Sequence, residues 1–162
     1  MKQYALSFSD LCIMVFNDLC QISISAGKPY TSDTNIVEEW DITAVIGLVG
    51  SAKGVVMLSM GKEVALQLTD MLSGGTHTEI DHEVIDVLGE ITNVFAGRAK
   101  QIMENEFRFE TALPVVMEHG ALAWLQKRSS FNLPDPPVRS IRIPFTIFEN
   151  ECFILSVSIQ NV

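Results

Sequence analysis

The sequence predicts an α/β fold of the α+β kind: an antiparallel sheet built from hairpins and packed against long helices. Two stretches rich in Val and Ile, 42–49 and 54–60, flank the turn residues Gly50-Ser51-Ala52-Lys53. A second such pair, 140–148 and 152–159, flanks Glu149-Asn150-Glu151. Two longer stretches, 5–23 and 81–104, carry apolar residues at helical spacing. In chain order the elements read helix, hairpin, helix, then helix, strand, hairpin. That is two rough copies of one unit, with pseudo-symmetric halves of about 1–75 and 76–162 inside a single domain.

Composition supports one packed domain. At 162 residues and 48% hydrophobic, the chain can bury a substantial core. A net charge of −9 and a pI near 4.7 argue against a nucleic-acid surface, which needs clustered Lys and Arg. The three cysteines are odd in number and lack CxxC spacing, so they read as buried free thiols. No apolar leader segment opens the chain, and no window approaches roughly 18 uncharged apolar residues. The expectation is a cytoplasmic protein that inserts in no membrane.

In the first helix Phe8, Leu11, Cys12, Val15, Leu19 and Ile22 form one face, Ser7 or Ser9 is an available N-cap, and Gly27-Lys28-Pro29 ends the element. Residues 28–39 read as loop with at most a short strand. The stretch from Lys62 to Leu72 places Val64, Leu68, Met71 and Leu72 at helical spacing and stops at Gly74-Gly75. Those glycines lack the lysine and Ser/Thr of a phosphate loop. Ala112 to Met117 reads as a short strand opened by Pro114. His119 to Gln126 is ambiguous, and Ser129 to Val138, with three prolines, reads as a loop. Pro144, inside a strand, must sit where its missing N–H is not needed.

The helix of residues 81–104, with Thr78 or Asp81 as its cap, holds the most informative pattern. With Val84 at zero and about 100° per residue, Val84, Leu88, Ile91, Phe95, Ala99 and Ile102 fall within roughly 80° of one another. Asp86, Glu90, Asn93 and Gly97 centre on the opposite side. Glu90 and Asn93 are then neighbours at i, i+3. Gly97 costs about 1 kcal/mol relative to Ala in a helix interior, which suggests close approach of something to the backbone there. In the first helix Asp10, Met14 and Asn17 repeat the spacing of Asp86, Glu90 and Asn93, with Met14 in the glutamate position.

Each of these residues also has a plainer reading. Glu and Asn at i, i+3 are ordinarily solvated surface, and Asp86 can act merely through the helix dipole. Met14 at helical spacing reads more simply as core. His77, His82 and Glu83 cluster without a third ligand at metal spacing, so they point to no metal site. Trp40 and Trp124 fit a core or an interface equally well.

With the repeat, the hairpins and Asp86-x3-Glu90-x2-Asn93 established, the chain resembles the CheC/CheX/FliY family of bacterial chemotaxis phosphatases, most closely its CheX branch. The resemblance covers the first helix, Val45-Ile46-Gly47-Leu48-Val49-Gly50 with Lys53-Gly54, Gly74-Gly75, the motif helix with Ala96-Gly97, Leu113-Pro114-Val115-Val116 and the final hairpin. It implies dephosphorylation of the aspartyl phosphate on a CheY-like receiver. Asn93 would orient the attacking water and Glu90 would pair with a receiver lysine, with Asp86 and Gly97 supporting them. It implies no cofactor of the chain's own, Mg2+ carried by the receiver, and a homodimer with strands paired across subunits. The alternative is a non-catalytic module of the same fold that binds a receiver or a flagellar-switch protein.

Overall fold

The computed structural model describes residues 4–32, 40–118 and 140–161. His119, Trp124 and the proline-rich stretch 129–138 lie outside the described residues. The first helix, α1, spans Ala5–Cys20, shorter at its C-terminus than its apolar spacing suggests. Gln21 turns left-handed at φ 55 and ends it, six residues before Gly27. Neither Ser7 nor Ser9 caps it: Tyr4 occupies the N-cap, and the buried Ser9 hydroxyl donates back to the Ala5 carbonyl at 2.9 Å.

Two short strands follow, β1 (Ser25–Ala26) and β2 (Tyr30–Ser32), and then the hairpin of β3 (Ile42–Gly50) and β4 (Ala52–Met60). The last rung of that hairpin pairs Val49 with Lys53, so its turn is tighter than four residues. Helix α2 (Lys62–Ser73) opens on the Asp41 carboxylate, which accepts from Lys62 N at 2.8 Å, and stops at Gly74 with φ 74, as its sequence predicts. Its Val64 and Leu68 are buried. Met71 and Leu72, expected on the same apolar face, are 55% and 39% exposed. The motif helix α3 spans His82–Met103, followed by β5 (Phe109–Thr111) and β6 (Val115–Glu118). The chain closes with β7 (Ser140–Ile147) and β8 (Glu151–Asn161), joined through Phe148 and Glu149, both at positive φ.

The strands form one antiparallel sheet in the order β1-β7-β8-β4-β3-β5, with β2 also on β7 and β6 also on β3. Because strand side chains alternate, Ala44, Ile46 and Leu48 share a face with Val56, Leu58, Leu155, Val157, Ile143 and Phe145, all buried. Over this face lie α1 and α3. Cys12, Val15 and Phe16 of α1 meet Ile91, Thr92 and Phe95 of α3 above Leu58 and Leu155 at the sheet centre. Phe16 stacks on Phe153 with ring centroids 4.8 Å apart. Cys12 and Cys20 are buried as expected, and burial pushes the Cys20 thiol up to about 11, which makes it a poor nucleophile. Cys152, by contrast, is exposed.

Neither pair of short edge strands joins the hairpin that follows it in the chain. The short strands that follow α1 pair with the second hairpin, and those that follow α3 pair with the first. Each pair is one interrupted strand with a bulge of one residue. Along β3, Leu48 opposes Thr111 and Val45 opposes Val115, so a step of three residues faces a step of four. Along β7, Phe145 opposes Ala26 and Arg142 opposes Tyr30, the same mismatch. The first bulge residue is held alike in both: Ala112 N donates to Gly47 O at 2.9 Å, and Gly27 N to Pro144 O at 2.8 Å. The second of these bonds puts the polar backbone of Pro144 toward the bulge, where no N–H is required of it.

Candidate functional site

Local chemistry sets the start of α3. The Asp81 carboxylate accepts from Glu83 N at 3.0 Å and Val84 N at 3.1 Å, satisfying two otherwise unpaired donors. His77 clamps the same end: its Nδ1 lies 2.6 Å from Asp70 at the end of α2, and its Nε2 lies 2.9 Å from Glu83 in the first turn of α3. The Asp70 bond and then the Glu83 bond raise the His77 pKa above the usual histidine value. His77 and Glu83 thus share an ion-pair cluster with Asp70, and His82 has no part in it. Among the described residues no group of three or more His, Cys, Asp or Glu could hold a metal ion.

The helix is fixed by what it buries. Val84, Leu88, Ile91, Phe95 and Ala99 are at most 3% exposed. Ile102, expected to extend this stripe, is 37% exposed, and Met103 is buried in its stead. Thr92 is buried too, its hydroxyl donating to the Leu88 carbonyl at 2.7 Å. The orientation of the opposite face follows.

Asp86, Glu90 and Asn93 are all exposed on that face. None of the three side chains is hydrogen-bonded or ion-paired to any other described residue. The two cations of the same helix are engaged elsewhere: Arg98 reaches Asp18 of α1 at 2.8 Å, and Lys100 reaches Glu110 of β5 at 3.3 Å. A carboxylate and a carboxamide one turn apart are therefore available to an outside partner. The carboxylate can only accept, so it suits a cation. The carboxamide both donates and accepts, so it can hold a water in one orientation. At Gly97 an added Cβ would meet nothing within 4 Å, so internal packing does not demand the glycine.

One neighbour escaped the sequence reading. Pro114, in the bulge between β5 and β6, lies against the helix at Gly89, where an added Cβ would stand 3.6 Å from its ring. Leu113, beside it, is 87% exposed. A proline opening a short edge strand was the available signal, but the helix turn it touches is set only by the pairing register.

The matching face of α1 is also exposed at Asp10, Met14 and Asn17. Met14 is 50% exposed, not core. With Ile13, Ser23 and Ile24 these residues line a shallow open groove.

The fold is thus a sheet of two hairpins with exchanged edge strands, carrying a helix whose acid and amide face outward as a candidate docking face. The chain belongs to the chemotaxis phosphatase CheX family, whose pattern matches residues 42–134, more than half its length. That span contains Glu90 and Asn93 and leaves α1 out. The chain is 25% identical over 145 residues to the CheY-P phosphatase CheX of Thermotoga maritima, covering 89% of this chain and 87% of that protein. Its fold is similar to CheX from Vibrio vulnificus, with a TM-score of 0.78 at 22% identity over 98% of this chain and 99% of that one. It is also similar to CheX in the CheX–CheY–BeF3–Mg2+ complex of Borrelia burgdorferi, with a TM-score of 0.77 at 19% identity over 98% of both chains.

Proposed function

We propose that this protein is a phosphatase that removes the aspartyl phosphate of a CheY-like receiver domain in chemotaxis signalling. The observation that carries this reading is the pair Glu90 and Asn93, exposed on one face of a buried-backed helix and unpaired among the described residues. Family membership and the relative named a CheY-P phosphatase support it.

An aspartyl phosphate is already labile, so the catalyst needs neither a nucleophile nor a strong base. It must hold a water in line with the phosphorus. Asn93 does this through its carboxamide, accepting from the water with Oδ1 and donating with Nδ2. The water oxygen bonds to phosphorus as the phosphorus–aspartate oxygen bond breaks, giving inorganic phosphate and the free receiver carboxylate. The gain is one of orientation. Glu90 pairs with a lysine of the receiver and sets the register in which Asn93 meets the phosphate. Asp86 supports this face, and Gly97 gives clearance for the receiver's backbone. Mg2+ belongs on the receiver in this reading. The protein acts in the cytoplasm as a homodimer, joined strand to strand at an open sheet edge.

The decisive experiment is the decay of a phosphorylated CheY-type receiver with and without this protein. The wild type accelerates it, and Asn93→Ala loses about 10²-fold of that acceleration while remaining folded. An unchanged rate with Asn93→Ala sinks the catalytic assignment. Receiver binding that depends on Glu90, with no acceleration by the wild type, would instead make the domain a non-catalytic docking module.

A further inference from the structure

The two edge strands carry the same device with different residues. Each has a bulge of one residue, spanning Gly27-Lys28-Pro29 on β7 and Ala112-Leu113-Pro114 on β3. Each opens with the same backbone bond, from Gly27 N or Ala112 N, and each closes on a proline. A bulge re-aims the side chain it expels from the ladder. In the bulge against β7 that side chain is the exposed Lys28; in the bulge against β3 it is Leu113, 87% exposed.

The second bulge is fixed to the motif helix. Pro114 lies against Gly89, the residue before Glu90, and Val116 of the same strand lies against it too. An added Cβ at Gly89 would stand 3.6–3.8 Å from both, an ordinary contact, so the strand packs directly on the helix backbone there; the counterpart of Gly89 in α1 by the motif spacing is Ile13. Leu113 thus adjoins the proline that packs on the helix one residue before Glu90. A leucine left that exposed beside an ion-pairing residue complements a partner with an apolar patch next to its charged pocket.

We infer that Leu113 is a docking and specificity-determining residue, burying its side chain against an apolar patch beside the phosphorylation pocket of the receiver. This inference rests on the phosphatase reading above. Glu90 supplies the charged contact and Leu113 the apolar one. Between them they define the angle at which the helix lies across the receiver. The copy at α1 has neither, with Met14 and Lys28 in their places.

The test measures receiver dephosphorylation at varied receiver concentration for the wild type, Leu113→Ala, Leu113→Lys and Lys28→Leu. Leu113→Lys raises the half-saturating receiver concentration by about tenfold or more with the saturating rate kept. Leu113→Ala falls between it and the wild type, and Lys28→Leu changes nothing. Half-saturation within about twofold of wild type for Leu113→Lys overturns the inference while leaving the phosphatase reading intact. So does a fall in the saturating rate alone. A changed mass of Leu113→Lys in sedimentation also overturns it, because Leu113 then belongs to a contact between copies. A wild type that accelerates nothing overturns both readings at once.

Discussion

The outward faces of α1 and α3 share an acid and an amide at the same spacing and differ in the residue between them and in what flanks them. Both present an acid and an amide seven residues apart, Asp10 and Asn17 against Asp86 and Asn93, and all four are exposed. Between them stands Met14 in one and Glu90 in the other. The helices also end differently. Gln21, the counterpart of Gly97 by this spacing, is the left-handed residue that terminates α1, whereas α3 runs on to Met103. Beside α1 the groove is lined by Ile13 and Ile24; beside α3 the matching ground is covered by Pro114 on Gly89. Both helices are backed by buried residues, but only α3 continues past its motif and carries the glutamate.

The largest expected difference lies underneath. Leu88 is fully buried where α1 has Cys12. Leu88→Ala should cost about 2–5 kcal/mol in chemical denaturation, and Cys12→Ala nearer 1 kcal/mol. Equal losses would mean that the two helices contribute alike to the core. Next comes activity. Asn93→Ala should lose about 10²-fold in receiver dephosphorylation and Asn17→Ala less than about twofold. Adding Met14→Glu to Asn93→Ala should restore nothing, because α1 still ends at Cys20 and carries Lys28 at its bulge. Recovered activity in that double variant would show that the glutamate alone separates the two faces.

Gly97→Ala should divide stability from function. The new methyl meets nothing within 4 Å, so the helix gains up to about 1 kcal/mol and Tm rises by about 2–4 °C. Receiver dephosphorylation should fall in the same variant. A gain in both would remove Gly97 from the docking face. The smallest effect belongs to His77, which ties α2 to α3 and has no counterpart on α1. Its pKa is raised in the folded state, first by Asp70 and then by Glu83. Its stabilisation is therefore complete below the ordinary histidine value of about 6.5 and is lost as pH rises through the raised folded value. A series of Tm measurements across that range should show the decline in the wild type and its absence in His77→Gln. Equal slopes would place the pH dependence elsewhere.

Wherever neighbouring residues supply the cause, the sequence was enough. The apolar stripe of α3 from Val84 to Ala99, the Asp81 cap, the Gly74 stop and both hairpins all follow from periodicity and from side chains bonding the nearest backbone groups. So does the outward direction of Glu90 and Asn93, since burying one side of a helix aims the other. Distant parts of the chain decided the rest. Periodicity marks Met71, Leu72 and Ile102 as apolar positions, but whether anything covers them depends on where other elements stop, and they are exposed. The end of α1 came from the turn at Gln21, with no glycine or proline at that position to mark it. The exchange of edge strands, the paired bulges and the seating of Pro114 on Gly89 depend on pairing registers between residues far apart in the chain, and no local pattern encodes them. The residues of the proposed chemistry were legible because a helix aims its own side chains; the surface that flanks them was not, because it is built by strands that meet only in the folded sheet.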